Sequence, residues 1–201
     1  MSSKVSKYGL PLKVEFCSKC VMSNQKPNSS IEFTSSNPKN KTGINIEKNI
    51  CDACKYNEIK SSIDWEKRER ELIKLLDKHK KNSNAYDVVV PGSGGKDSAY
   101  TAHILKYKYG MNPLTVTWAP HLFTDIGFKN FNNWMRVGGL DNFLFTPNGL
   151  LHKRLTSLAF KNLLHPFQPF IIGQKLIAPK IAEKFNIPLI MYGENQAEYG
   201  N

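Results

Sequence analysis

Hydrophobic and polar positions alternate in blocks over the last two thirds of this chain. Short apolar runs rich in β-branched residues predict strands over 86–90, 113–118, 142–146 and 187–192. Between them, apolar residues recur every three or four positions, which predicts helices over 97–109, 124–137, 148–163 and 172–185. Alternation of this kind is typical of a doubly wound α/β fold, a parallel sheet with helices on both faces.

A different pattern precedes residue 85. A charged amphipathic helix is predicted from Trp65 to Lys81, with Asp64 as its N-cap and with Trp65, Leu72, Ile73 and Leu76 on one face. The polar residues 82–84 end it. We therefore expect a small cysteine-containing module over 1–63, a connecting helix over 64–84 and the α/β domain over 85–201.

Composition narrows the function classes. The hydrophobic fraction of 40% can build a core, yet no run approaches the ~18 apolar residues of a membrane span. No apolar segment follows the early lysines either, so we expect a soluble, cytoplasmic protein without a membrane partner. The net charge of +11 lies mostly in residues 1–85, where lysines are scattered among Asn and Ser. That distribution favours a solvated surface, or ATP and acidic sugars as ligands, over a nucleic-acid interface.

All four cysteines lie in two Cys-x-x-Cys pairs, Cys17 with Cys20 and Cys51 with Cys54. Two such pairs can present four thiolates to one tetrahedral Zn²⁺ in a closed, structural site. About 30 residues separate the pairs, more than the usual spacer, so we expect a loop insertion between them. An iron–sulfur cluster is the main alternative, and disulfides are less favoured in a chain without a secretion signal.

The run Gly92-Ser93-Gly94-Gly95-Lys96-Asp97-Ser98 joins the first predicted strand of the α/β domain to its first helix. Backbone N–H groups at such a junction, with the positive end of the helix dipole behind them, form a phosphate cradle. The Walker pattern fails because no glycine stands at its first position and Asp97 follows the lysine; the dinucleotide pattern fails because Asp97 stands at its last glycine.

The residue types of this loop suit a triphosphate. Gly94 and Gly95 let the backbone approach phosphate oxygens, Ser93 and Ser98 offer hydroxyl donors, and Lys96 offers a positive charge. Asp97 either caps the helix or helps to hold Mg²⁺ on the phosphates.

The sequence Ser-Gly-Gly-Lys-Asp-Ser resembles the PP-loop of the ATP pyrophosphatase superfamily. Together with other fragments, it makes the chain similar to the N-acetyl sugar amidotransferase family of surface-glycan and flagellin-sugar biosynthesis. The further matching fragments are the paired cysteines, 20–22, 63–65, 117–120, Thr124 with Gly127 and Asn130, 166–167 leading to 173–175, and 191–200.

This resemblance implies a reaction, cofactors and partners. ATP, with Mg²⁺, is cleaved between its α and β phosphates, AMP is placed on the oxygen of an acetamido group, and ammonia displaces it to leave an acetamidino sugar. The implied context is lipopolysaccharide biosynthesis or flagellin glycosylation with sugars such as pseudaminic acid. No cysteine follows residue 54, so the chain shows no glutaminase nucleophile. A separate glutaminase subunit and an ammonia-channelling partner resembling those of histidine biosynthesis are therefore implied.

The resemblance and the strand ends together give a set of candidate residues. Thr117 and Trp118 should lie against adenine, although Trp118 fits a packing role equally well. Glu194 and Asn195 follow an apolar strand at the ligand edge of the sheet, where Glu194 would position Mg²⁺ or ammonia. The expected catalytic residues are Lys96, Asp97, Ser98 and Glu194. The expected nucleotide-binding residues are Gly92, Ser93, Gly94, Gly95, Lys96, Asp97, Ser98, Thr117, Trp118, Asn130 and Asn195.

Two features depart from the family pattern. Ser23 stands where the family usually has proline, and family members continue well beyond Asn201. We therefore expect a fragment or a truncated gene product that lacks a last strand and part of the sugar pocket. RNA thiolation, lysidine-type RNA amidation and a noncatalytic nucleotide-binding scaffold remain as alternatives. The absence of cysteine from residues 55–201 argues against thiolation.

Overall fold

The computed structural model describes residues 10–26, 44–81 and 83–194. They fall into two compact units that divide between Lys67 and Arg68. The division lies within the helix Trp65–His79, after its third residue. The insertion expected between Cys20 and Cys51 lies largely outside the described residues.

The first unit is built from two tight turns. Around the first cysteine pair, Phe16 and Ser23 form an antiparallel bridge, and Val21 adopts a left-handed backbone with φ of 53°. The second pair begins at the end of a hairpin formed by β1 (Ile46–Glu47) and β2 (Ile50–Cys51). Its second cysteine lies in the first turn of α1 (Asp52–Ser62), which follows at once. Lys48 and Asn49 both have positive φ, 52° and 62°, as a two-residue type I′ hairpin turn requires.

The second unit contains one parallel sheet in the order β3–β4–β5. The chain returns after the last helix, where Ile190 forms a parallel bridge with Val89 on the other side of β3. These elements confirm the doubly wound α/β fold. Their bounds are α2 (Trp65–His79), β3 (Val88–Pro91), α3 (Lys96–Tyr107), β4 (Pro113–Trp118), α4 (Asp125–Arg136), β5 (Asp141–Phe145), α5 (Gly149–Leu163) and α6 (Gln168–Lys184).

Helices cover both faces of this sheet because alternate strand residues point in opposite directions. Val88 and Val90 are fully buried against residues of α2, α3 and α4. Val89, on the opposite face, is buried against α6, whose Ala178 is also fully buried. The central strand β3 is therefore apolar on both sides, as expected for a parallel sheet.

Some predicted bounds were wrong, and a proline explains one of the differences. The segment 187–192 pairs with β3 only around Ile190, where the N–H of Val89 donates to the carbonyl of Leu189 and the N–H of Met191 donates to the carbonyl of Val89. Helix α6 begins at Gln168 rather than near residue 172, because Pro169 lies in the first turn, where a missing N–H costs nothing. On α2, Leu76 is buried as predicted, but Trp65 is 59% exposed.

Among the described residues, none of the helices combines the length and apolar character needed to cross a bilayer.

Candidate nucleotide site and cysteine cluster

The loop between β3 and α3 is tethered to the neighbouring strand β4. The Gly92 N–H donates to the carbonyl of Val116 at 2.9 Å, and the Thr117 hydroxyl donates to the carbonyl of Gly92 at 2.7 Å. The peptide groups at the beginning of the loop are thus fixed before the helix starts. A fixed loop can present its later N–H groups to a phosphate without reordering.

A Cβ on Gly92 would lie 2.3 Å from the Cβ of Ser98, and Gly94 is the second position of this loop that requires glycine. Its φ is +83°, and a Cβ there would lie 2.8 Å from the Cα of Phe131 on α4. Gly95, by contrast, has open space around its Cβ position. The loop backbone therefore packs directly on α4 at Gly94 and is open to solvent at Gly95.

Helix α3 begins without a side-chain cap. Its N-cap is Gly95, and the carboxylate of Asp97 accepts from the Lys96 ammonium at 2.7 Å instead of capping the helix. The interpretation of Asp97 as a cap is therefore wrong. Since the first N–H groups of a helix have no intrahelical partners, the start of α3 keeps amides and a positive dipole end for an anion.

A polar network inside the sheet supports the loop, and the sequence interpretation missed it. Asn142 on β5 donates from Nδ2 to the hydroxyls of Thr115 and Thr117, both at 2.9 Å. Thr117 is fully buried, and its hydroxyl in turn donates to the carbonyl of Gly92. An asparagine and two threonines in otherwise apolar strands were the signal for such a network.

Trp118 lies at the end of β4 in a packed environment. Its ring stacks on Phe145 with centroids 5.0 Å apart, and it lies against the backbone of Gly173 on α6. The hydroxyl of Thr117 donates to the Gly92 carbonyl, and its side chain is buried instead of facing an open cleft. The assignment of these two residues to adenine stays a prediction, and the structure gives both a clear packing role.

The start of α4 explains the spacing of Thr124, Gly127 and Asn130. Thr124 is the N-cap, and its hydroxyl accepts from the N–H of Gly127 at 3.0 Å. One turn later, the backbone of Asn130 and Phe131 lies against Gly94. Asn130 is thus brought to the phosphate loop with an exposed side chain.

The returning strand brings a second segment to the same edge. A Cβ on Gly193 would lie 2.6 Å from the carbonyl carbon of Asp97 and 2.7 Å from the N of Ser98, so the two backbones are in direct contact. Glu194 follows immediately and is exposed. Glu194 is thereby placed beside the start of α3, while Asn195 lies outside the described residues.

The four cysteines of the first unit form one cluster. Their sulfur atoms all lie within 4.8 Å of one another, with 3.8 Å between Cys17 and Cys54 and 3.6 Å between Cys20 and Cys51. Thiolates at about 2.3 Å from a tetrahedral Zn²⁺ lie about 3.8 Å apart. The cluster could therefore hold a metal ion, and its dimensions fit a single tetrahedral one.

The cysteines of this cluster differ in pKa, partly because backbone amides donate to one of the sulfurs. The N–H groups of Cys51 and Lys19 both donate to the Cys17 sulfur at 3.4 Å, and the Cys51 amide is the main reason that the pKa of Cys17 falls to about 6. The pKa of Cys54 rises to about 12, chiefly through its contact with Cys20 and through burial. Four sulfurs this close can all be ionised only beside a cation.

Comparisons with known proteins bear on the fold. No model of a known protein family matches the chain. An uncharacterized protein of Methanocaldococcus jannaschii is 38% identical over 79 residues, which are 39% of this chain and 28% of that protein. NMN synthetase from Francisella tularensis superposes with a TM-score of 0.51 at 17% identity, over 68% of this chain and 57% of that one. NH3-dependent NAD synthetase from Campylobacter jejuni superposes with a TM-score of 0.49 at 17% identity, over 68% and 59%.

This chain therefore spans just over a quarter of the matched curated protein and less than two thirds of either solved structure. At 17% identity, the likeness to NMN synthetase shows the fold alone. That fold is the α/β arrangement expected from the resemblance to PP-loop ATP pyrophosphatases.

Proposed function

We propose that this chain carries the ATP-cleaving part of an amidotransferase that converts an acetamido sugar into an acetamidino sugar. The observation that carries the proposal is the loop between β3 and α3. It is tethered to β4, packed on α4 through Gly94 and followed by an uncapped helix start, as a pyrophosphate cradle requires. The fold shared with a protein named NMN synthetase supports chemistry of this general type.

The proposed reaction has two steps. The acetamido oxygen attacks the α-phosphorus of ATP, the bond to the β-phosphate oxygen breaks, and pyrophosphate leaves. Ammonia then adds to the imidate carbon, the bond from that carbon to the AMP oxygen breaks, and an amidine and AMP remain. Adenylation is needed because an amide oxygen is otherwise a poor leaving group.

The residues of the loop would act mainly on the leaving pyrophosphate. The amides at the start of α3 and the hydroxyls of Ser93 and Ser98 would bind its oxygens, and the Lys96 ammonium would offset its growing charge. Mg²⁺, when bound, neutralises phosphate oxygens, and the exposed carboxylates of Asp97 and Glu194 are hard oxygen donors that suit it. The contact of Gly193 with Asp97 and Ser98 supports a role for Glu194 beside the same phosphates.

The cysteine cluster has a different role in this proposal. We infer a structural Zn²⁺ held by Cys17, Cys20, Cys51 and Cys54. Four protein ligands leave no open position for water, so the ion would stabilise the first unit rather than take part in the reaction. An iron–sulfur cluster contains several metal ions and would need its thiolates further apart than 3.6–3.8 Å.

Further parts of the proposal rest on the family resemblance. The acceptor would be a nucleotide-linked or acidic N-acetyl sugar of surface-glycan biosynthesis, acted on in the cytoplasm. Ammonia would come from a separate glutaminase subunit through a channelling partner, since the sequence after Cys54 has no cysteine to hydrolyse glutamine.

The test is nucleotide product analysis with the purified chain, alone and with ammonium chloride and acetamido sugars. We expect AMP and pyrophosphate in equal amounts, formed only when both sugar and ammonia are present. Formation of ADP would overturn the proposal, because it requires cleavage between the β and γ phosphates. AMP formed only with tRNA would assign the chain to RNA modification instead. ATP binding without turnover on any substrate would assign it to the noncatalytic scaffolds.

A further inference from the structure

A cavity opens at the carboxyl ends of β4 and β5. Its volume is about 440 Å³, and it is lined by the turn after β4, the turn after β5 and the first two turns of α5. The side chains that carry its chemistry are His121, His152, Lys153 and Thr156. Carboxyl ends of parallel strands are the ligand edge of doubly wound folds, so this cavity shares its edge with the phosphate loop.

His152 is the unusual residue of this cavity. It is only 7% exposed, and its Nε2 has no hydrogen-bond partner among the described residues. The other ring nitrogen, Nδ1, lies 3.4 Å from the hydroxyl of Thr156. Burial and the nearby His121 both lower the pKa of His152, so the ring is held neutral at physiological pH. When the Thr156 hydroxyl donates to Nδ1, Nε2 carries the proton and is a buried donor without an acceptor, on a residue that lines the cavity.

The other groups around His152 are also donors. Lys153 adds an ammonium, and His121 lies with its ring centroid 4.6 Å from that of His152. The side chain of Asn148 accepts from the Leu151 N–H. The N–H groups of Gly149 and Leu150, in the first turn of α5, have no acceptor within the helix. Among the described lining residues there is no carboxylate. A buried donor without an acceptor, beside a cation and a helix N-terminus, fits a ligand that brings negative oxygens.

We propose that this cavity binds the anionic group of the acceptor sugar, a carboxylate or a phosphate, while the acetamido group lies at the phosphate loop. The inference rests on the proposed function for the identity of the ligand. Adjacent strands lie about 4.8 Å apart, so the ends of β3 and β5 are about 10 Å apart, comparable with the length of one substituted sugar. The two sites can therefore be reached by one acceptor.

The experiment uses three probes that share an acetamido group and differ in charge. N-acetylneuraminic acid carries a carboxylate, UDP-N-acetylglucosamine carries a diphosphate, and N-acetylglucosamine is uncharged. Binding is measured by calorimetry on the wild type and on Lys153→Gln, with Lys161→Gln as the matched control on the exposed part of the same helix. The ¹⁵N shifts of the His152 imidazole are recorded in the same titrations.

We expect one of the two charged probes to bind and to move the Nε2 signal, which identifies the source of the anion. Lys153→Gln should weaken that binding by about tenfold, as expected for loss of a charged hydrogen bond, and Lys161→Gln should leave it unchanged. Equal binding of the uncharged sugar, or displacement of the charged probe by adenosine, would overturn the inference.

The two proposals fail separately. If no acetamido sugar supports AMP formation but a charged probe still binds through Lys153, the amidotransferase reaction is wrong and the anion cavity stands. If AMP forms with a charged sugar while neither the His152 signal nor the KM for that sugar responds to Lys153→Gln, the cavity inference is wrong and the reaction stands.

Discussion

Among the described residues of the first unit, the buried side chains are Cys17, Ile44, Cys51 and the polar Asn24, whereas the second unit buries two apolar clusters, one on each face of its sheet. Helix α1 of the first unit buries none of its residues. A described segment with so little buried apolar surface gains little to offset the entropy of ordering its backbone. We therefore propose that the first unit depends on the metal held by its cysteines for its fold and that the second unit does not.

Replacing one buried cysteine should produce the largest difference between the two units, because only the stability of the first unit should fall. We expect Cys51→Ser to abolish metal binding and to unfold the first unit, because structural zinc supplies about 10–16 kcal/mol in comparable sites. Elemental analysis should show a fall from one metal per chain to nearly none. Hydrogen exchange over 88–118 should stay slow.

Ser61→Ala, an exposed change on α1, is the control and should retain the metal. Full metal retention in Cys51→Ser would contradict the proposed metal site. Loss of protection in the sheet would contradict the independence of the second unit.

The next test distinguishes a catalytic role of the uncapped start of α3 from a purely structural one. Asp97→Ala should lower the rate of AMP formation by on the order of 100-fold, since the carboxylate proposed to hold Mg²⁺ on the phosphates is lost. Thermal unfolding should be almost unchanged, because Asp97 is exposed and does not cap the helix. Asp77→Ala, an exposed acid on α2, should be active; equal activity of both variants would remove Asp97 from the mechanism.

Two neighbouring glycines test the packing of the phosphate loop on α4. Gly94→Ala should lower the free energy of unfolding by about 1–3 kcal/mol, because its positive φ and its contact with Phe131 both exclude a Cβ. Gly95→Ala, with open space at its Cβ position, should change it by less than about 1 kcal/mol. Urea unfolding measures both, and equal losses would show that the loop is not packed as described.

The polar network behind the loop should have a smaller effect. Thr117→Val and Thr115→Val each remove a partner of Asn142, and each should cost about 1–2 kcal/mol of unfolding free energy. Only Thr117 also bonds to Gly92, so only Thr117→Val should raise the KM for ATP. A matching rise in Thr115→Val would show that the effect comes from general loss of stability.

The smallest expected effect concerns a surface ion pair of the second unit. Lys108 lies 2.5 Å from Glu69 and, with the Tyr109 hydroxyl, holds the pKa of Glu69 below its usual range. A lowered folded-state pKa stabilises the protein at neutral pH, and this contribution is lost as the pH falls below about 4. Lys108→Met should therefore differ slightly from the wild type at pH 7 and not at pH 3 in urea unfolding. Lys74→Met should show no such pH dependence.

Local pattern was enough to predict the doubly wound fold, because β3 and β4 are short apolar runs bounded by polar turns and the intervening helices keep their spacing. It failed at the start of α6, where Pro169 lies in the first helical turn and its missing N–H costs nothing. The pairing of Thr117 with Gly92 joins residues 25 positions apart, which no local pattern reports. The glycine-rich loop could be predicted from the sequence, whereas the hydrogen bonds that link it through Thr117 to Asn142 could not.

The parallel bridge between Val89 and Ile190 has a consequence for synthesis on the ribosome. One edge of β3 has no sheet neighbour until a segment about 100 residues later has been translated, a delay of about 5–20 s at ordinary elongation rates. During that time an apolar strand with open N–H and C=O groups is available to other chains. Nascent copies of this protein therefore pass through an interval in which they need shielding by a chaperone or by low local concentration.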